Sequence, residues 1–195
     1  MIRAITLAGA VLAAAPATAQ QPGWRFSCPE PGTVVERTEG GAIAFRGADT
    51  NDPFVCLAGG GQRLVLGIWA PSERQYVNGR AHLASLLSGP PGGERRFDYF
   101  SLGRDSNSVH VYETWRHAGF ERVRVPAGTF EAAKLQRRFE VAGVTYSYLQ
   151  TVWLDRATNV PVKVKVDHMN AFIAPTLFDW EATDVRQPAG SRVRS

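Results

Sequence analysis

Cysteine, methionine, histidine and lysine are all scarce in this 195-residue chain, with two, two, four and three copies. Neither cysteine belongs to a C-x-x-C pair, and no H-x-x-x-H accompanies them, so the spacing for a zinc site is missing. The histidines His82, His110, His117 and His168 offer no local ligand spacing either. In a strand, His110 and His117 fall on opposite faces, and each histidine is expected at the surface or a strand edge. No nucleophile elbow, H-E-x-x-H helix or phosphate-binding loop occurs. Gly59-Gly60-Gly61 lacks the lysine and helix that a phosphate cradle needs and reads as a loop between strands. The sequence therefore assigns no catalytic residue, no metal and no cofactor.

Long apolar runs are also missing after residue 19. None approaches the ~18 residues of a membrane helix, so nothing is expected to span a bilayer. Basic residues cluster only as Arg95-Arg96, Arg137-Arg138 and a tail of Arg186, Arg192 and Arg194. Interleaved basic and aromatic clusters would mark a nucleic-acid protein, and nucleic acid is not an expected partner. The excess of arginine over lysine reads as the mark of a GC-rich genome rather than of a binding site.

The hydrophobic share is 44% and the charged share 21%, within the globular range. The N-terminus carries one charge at Arg3, an apolar stretch from Ala4 to Ala15, and Pro16-Ala17-Thr18-Ala19. That is a secretory pattern with cleavage expected after Ala19. The expected organisation is a cleaved signal over residues 1–19, one β-rich domain over 20–186 and a disordered tail over 187–195. Export to the periplasm of a Gram-negative-type envelope, soluble after cleavage, is the expected location. In that oxidising compartment Cys28 and Cys56 are most simply one structural disulfide. A lipid anchor at Cys28 is disfavoured by the preceding Arg25-Phe26-Ser27.

Turn signals recur throughout, and between them lie runs rich in Val, Phe, Tyr, Trp and Thr. That spacing means short antiparallel strands. Val160, Val162, Val164 and Val166 share one parity against Lys163, Lys165 and Asp167, a half-buried strand. Its hairpin partner runs from Val144 to Leu154, with Tyr146 and Tyr148 on one face and Trp153 on the other. Thr129 to Val141 pairs with it across a tight Ala142-Gly143 connection. Further strands are expected around Phe97–Phe100 and Val109–Trp115, and at Thr33–Glu36, Ala42–Arg46, Phe54–Leu57 and Arg63–Trp69. The last is apolar on both faces and reads as central. Asn78 to Ser88 forms the one helix, with Leu83, Leu86 and Leu87 on its buried stripe and Asn78 as its cap. The fold class is mainly β: a curved antiparallel sheet or open half-barrel with one short covering helix.

Aromatic residues supply the candidate ligand site. Trp69, Tyr112, Trp115, Tyr146, Tyr148 and Trp153 all fall in expected strands. They either form ordinary core or line a cavity within the curved sheet. Glu113 shares the parity of Val109 and Val111; inward, it would have its pKa raised by desolvation and serve as an acid–base group. The plainer reading is a strand-end glutamate paired with Arg116 or Arg124.

The stretch from Glu121 through Val-Pro-Ala-Gly-Thr-Phe-Glu-Ala-Ala-Lys134, followed by Trp153-Leu-Asp-Arg-Ala-Thr-Asn-Val-Pro-Val-Lys163, carries a resemblance. It is similar to exported bacterial proteins of unknown function that look like relatives of the periplasmic lipoprotein-carrier (LolA-like) half-barrels. The likeness covers roughly residues 119–168. It implies a curved sheet over an apolar concavity and carries no catalytic residues.

Three functional readings follow. The first is a non-enzymatic periplasmic binding protein holding a hydrophobic or amphiphilic small molecule, lipid or lipidated partner in the concave face. The second is an envelope protein–protein interaction module without a cavity. The third is a small hydrolase with a site assembled across distant strands.

Overall fold

The computed structural model describes residues 24–71, 73–102, 107–169 and 178–190. The expected signal, 1–19, and the end of the expected tail, 191–195, lie outside the described residues. Ten strands and one helix follow in the order β1 (Val34–Arg37), β2 (Ile43–Ala48), β3 (Val55–Ala58), β4 (Arg63–Val65), α1 (Glu73–Ser88), β5 (Glu94–Leu102), β6 (Ser108–Val125), β7 (Gly128–Val141), β8 (Ser147–Asp155), β9 (Pro161–His168) and β10 (Trp180–Arg186). All strands join one antiparallel, curved and unclosed sheet in the order β4-β3-β2-β1-β10-β9-β8-β7-β6-β5. Two meanders, β1–β4 and β5–β10, are thus stitched together where β1 pairs with β10.

The edges β4 and β5 are consecutive in sequence, and α1 is the segment that carries the chain from one edge to the other. The curvature is readable from a single contact. Trp69, just past β4, has its ring 5.6 Å from that of Trp115 on β6, eight strand steps away in the sheet order. In a flat sheet those steps would separate them by ~38 Å at about 4.8 Å per step. The sheet is therefore rolled until its two ends face each other across one interior.

Most of the sequence reading is recovered, with four differences. The segment expected as a central strand over 63–69 is an edge strand ending at Val65. Leu66 and Gly67 take left-handed φ of 54° and 74°, and the chain folds back so that Trp69 bridges Val65. Its two-faced apolarity comes from this turn, which drops Trp69 into the interior. The helix begins five residues before Asn78. Tertiary contacts from its first turns compensate for weak local propensity: Tyr76 Oη and Arg80 Nε both donate to Asp52 Oδ2 at 2.6 Å. Ala118-Gly119 is a bulge within the 18-residue β6, with Gly119 at φ 107°, rather than a turn between strands. The β7–β8 connection is wider than a tight turn, closing where Val141 N donates to Tyr146 O, so β8 starts at Ser147.

Among the described residues no helix is long and apolar enough to cross a membrane.

Candidate functional site

The inner face of the roll is organised around one ion pair. β6 and β7 place Trp115 opposite Arg137 and Glu113 opposite Phe139, and these odd positions, ahead of the β6 bulge, point inward. Arg137 Nε and NH2 donate to the two oxygens of Glu113, each at 2.8 Å. Tyr99 Oη and Trp115 Nε1 donate to the same carboxylate at 2.7 and 2.9 Å. Arg137 NH1 donates to Tyr148 Oη at 2.8 Å, and the Trp69 ring covers the guanidinium at 4.0 Å. Glu113 and Arg137 are 0% and 2% exposed.

Burial by itself would raise the Glu113 pKa; the Arg137 charge and the donated hydrogen bonds outweigh it and hold the carboxyl below its ordinary range. The acid–base expectation for Glu113 is thus corrected. Four donors fix it as a carboxylate, and a group so tied has no proton to give near neutral pH. Its partner is also corrected, from Arg116 or Arg124 to Arg137, which lies 24 residues downstream on the adjoining strand. Tyr148 has its pKa pushed up to about 12, chiefly by burial.

The six aromatic candidates divide between two faces. Trp69, Trp115 and Tyr148 gather around Arg137, and Tyr146 packs edge-on against Tyr148 at the rim of this cluster. Trp153 and Tyr112 lie on the outer face. Trp153 is 7% exposed because Lys134 and Lys163 each lay an ammonium over its ring, at 5.5 and 5.6 Å, while its indole N–H donates to Glu121. Tyr112 lies beneath the Arg96 guanidinium and beside His110.

Open volume lies at one end of the sheet. A cleft of about 640 Å³ is bounded by the 24–33 segment, the end of β2, the β8–β9 turn and Gln187 beyond β10. The 24–33 segment is held down by the Cys28–Cys56 disulfide onto β3 and by Gly32 N donating to Phe45 O. The turn is internally tied: Asp155 Oδ2 accepts from the Thr158 N–H and hydroxyl, and Asn159 sits at φ 58°, a conformation asparagine tolerates. Asn159 Nδ2 reaches across to Ser27 Oγ at 3.2 Å.

The cleft is chemically two-sided. Trp24, Pro29, Pro31, Ala48 and Ala157 supply an apolar wall, and among the described residues Arg25, Arg46, Arg156 and Glu30 are the charged residues that border it. Two buried polar atoms of these residues, Trp24 Nε1 and Asn159 Oδ1, have no hydrogen-bond partner among the described residues. Behind Trp24, 5.3 Å away, lies His117, whose two ring nitrogens are also buried without a partner among the described residues. His117 is 2% exposed, a correction to the expected surface or edge position, and burial lowers its pKa. The bulge after His117 keeps this ring inside while the strand continues.

None of the three cleft arginines stands out in the sequence. They come from three segments far apart in the chain, and only the Asp155–Asn159 turn signal marks one of their carriers. Among the described residues no group of three or more His, Cys, Asp and Glu side chains could hold a metal ion.

No protein-family model matches the chain, so none places the 119–168 motif among the lipoprotein carriers. No curated protein matches it either. Among solved structures the chain is similar to the hypothetical lipoprotein YmcC from Escherichia coli K12, at 14% identity and a TM-score of 0.45, over 84% of this chain and 90% of that one.

Proposed function

We propose that this chain is an exported, non-catalytic binding protein of the cell envelope, and that it seats an amphiphilic small molecule in the cleft beside the β8–β9 turn. The observation that carries this reading is the pairing of an apolar wall with unpartnered buried polar atoms around an open volume of about 640 Å³. That volume lies within the roughly 300–1,000 Å³ of small-molecule sites. The Cys28–Cys56 disulfide and the secretory pattern at the N-terminus support export. We assign the ligand to the cleft rather than to the aromatic strand residues expected from the sequence, because Trp69, Trp115 and Tyr148 are engaged around the Glu113–Arg137 pair.

Native mass spectrometry of the protein purified gently from its own envelope tests the reading. The expected result is a discrete small molecule at near-stoichiometric amount, lost on solvent extraction. Ala48→Trp, which fills the cleft from an exposed position, is expected to abolish retention without lowering the melting temperature. An empty wild-type protein, or full retention in Ala48→Trp, would overturn the assignment.

A further inference from the structure

We infer that Trp24 is an acid-released latch: when His117 takes up a proton, the indole leaves its seat on the sheet and the 24–27 end of the 24–33 segment lifts away. Three polar nitrogens meet in that seat. His117 Nδ1, His117 Nε2 and Trp24 Nε1 are all buried, and none has a hydrogen-bond partner among the described residues. Rings alone make the contact. Trp24 lies 5.3 Å from His117 and 6.2 Å from Phe120, and Phe120 stands edge-on to His117 at 5.2 Å. A neutral imidazole has one donor to leave unmatched there, whereas an imidazolium has two, and they carry a full charge. Aromatic rings attract a cation only weakly compared with two charge-assisted hydrogen bonds.

The charged groups on the elements around His117 do not compensate it. On β6, Arg116 is exposed, and Glu121 is bonded to Trp153 and Lys134. β7 sets Leu135 opposite the histidine, and the turn before β5 meets it with the backbone of Gly92 and Gly93, ahead of an exposed Glu94. Arg25 and Glu30 of the 24–33 segment are exposed, and Arg156 of the β8–β9 turn lies over Phe120 at 4.7 Å. Burial alone lowers the histidine's pKa. The strand cannot move to relieve the charge, because His117 N donates to Gly93 O at 3.0 Å and His117 O accepts from Gly92 N at 2.6 Å. Trp24 can move. It lies three residues before Ser27, which accepts from Asn159, and four before Cys28, which is bonded to Cys56. Leaving the seat also returns its own indole N–H to water. Trp24 borders the cleft, so its release alters that wall in acid. The movement itself does not require an occupied cleft and can fail without the binding reading failing.

Fluorine NMR of the protein labelled with 5-fluorotryptophan, followed from pH 8 to pH 5, tests the latch. The chain has five tryptophans, and Trp24→Phe identifies the resonance in question. As the pH falls below the ordinary histidine value of 6.5, that resonance is expected to move toward the position of free 5-fluorotryptophan and to be broadened by the soluble radical TEMPOL. Trp69, Trp115, Trp153 and Trp180 are expected to stay in place. In His117→Phe, or in His117→Gln should the first variant fail to fold, the Trp24 resonance is expected to keep its pH 8 position. A Trp24 resonance unchanged across the whole range overturns the inference. So does one that moves only together with the other four as the sheet unfolds. A shift of equal size in a variant that cannot titrate at 117 overturns it as well, by removing His117 as the cause.

Discussion

Arg137 and Glu113 meet through two parallel N–H···O contacts of 2.8 Å in an interior where both are at most 2% exposed. The pair does more than neutralise itself. Tyr99 on β5, Trp115 on β6 and Tyr148 on β8 each spend their one polar hydrogen-bonding group on it, and Trp69, arriving from the far edge of the sheet, lies over the guanidinium. One charged knot thereby fixes the register of four neighbouring strands and the approach of the two sheet ends.

Removing one partner should cost far more than removing both. Glu113→Gln and Arg137→Met each leave a buried polar group unmatched, and a loss of about 3–5 kcal/mol is expected for breaking such a pair. The double variant should recover part of that loss, because a neutral amide beside an apolar side chain leaves no buried charge without its counter-charge. Urea denaturation of the four proteins measures this. Additive losses would show that the two side chains do not act as a unit.

The same knot shows what was legible in the chain and what was not. Parity placed Glu113 with Val109 and Val111, and Trp153 opposite Tyr148, because side-chain direction alternates strictly along a strand. Parity is silent about what lies across the interior. Arg137 is 24 residues from Glu113, and Trp69 is brought to both by a turn at Leu66-Gly67 that hydrophobic pattern cannot distinguish from a continuing strand. The valine alternation of β9 and the leucine stripe of α1 were plain for the converse reason, since each is satisfied locally. The cleft was invisible because its lining comes from segments far apart in the chain, which only folding brings together.

The pH dependence of stability should carry a signature of His117. Burial among Trp24 and Phe120 lowers its pKa from the ordinary 6.5, so the folded protein holds it neutral while the unfolded chain takes up a proton at the ordinary value. The stability this contributes is present above pH 6.5 and is lost as the pH falls from there toward the folded value. His117→Phe keeps an aromatic ring and removes the titration. Its unfolding free energy is expected to change less between pH 7 and pH 5 than that of the wild type, and to be no lower at pH 8. Parallel pH profiles for the two proteins would contradict the assignment.

Glu113 predicts a separate, more acidic window. Its folded pKa lies below the ordinary 4.5, so its contribution is present above that value and disappears as the pH drops through the folded one. Acid unfolding of the Glu113→Gln/Arg137→Met protein should therefore be shallower below about pH 4.5 than in the wild type, with the His117 window unchanged. Circular dichroism across pH 2–7 separates the two regions; an acid limb of equal steepness in both proteins would exclude Glu113 as a contributor.

Reduction should reach both stability and the cleft. The Cys28–Cys56 bridge spans 28 residues, and closing such a loop constrains the unfolded chain by roughly 3–4 kcal/mol in the entropy model. For a chain of this size that corresponds to a fall of about 6–15 °C in melting temperature. Cys28→Ser/Cys56→Ser should reproduce the fall without reductant. Cys28 also lines the cleft, so ligand retention should weaken at temperatures where the rest of the sheet is still folded. A melting temperature unaltered by reductant would mean that the 24–33 segment is held by its other contacts alone.

Gly79 gives the sharpest test of how α1 sits on the sheet. A β-carbon built there would lie 2.7 Å from Phe97 Cζ, closer than real β-carbons approach, and 3.1 Å from its Cε2. Phe97 cannot yield easily, because its ring is buried and stacked on His82 at 5.2 Å. Alanine is better than glycine inside a helix by about 1 kcal/mol. Forcing a methyl into a packed interface costs typically ~1–3 kcal/mol. Gly79→Ala is accordingly expected to destabilise the wild-type protein by up to about 2 kcal/mol net of the helix gain. In a Phe97→Leu background, where the ring is gone, the same substitution should stabilise. That reversal of sign, read by chemical denaturation, identifies the contact itself as the cause. A stabilising Gly79→Ala in the wild-type background would instead mean that the helix rides over β5 with room to shift, and that the covering of the inner face is looser than the packing around Phe97 implies.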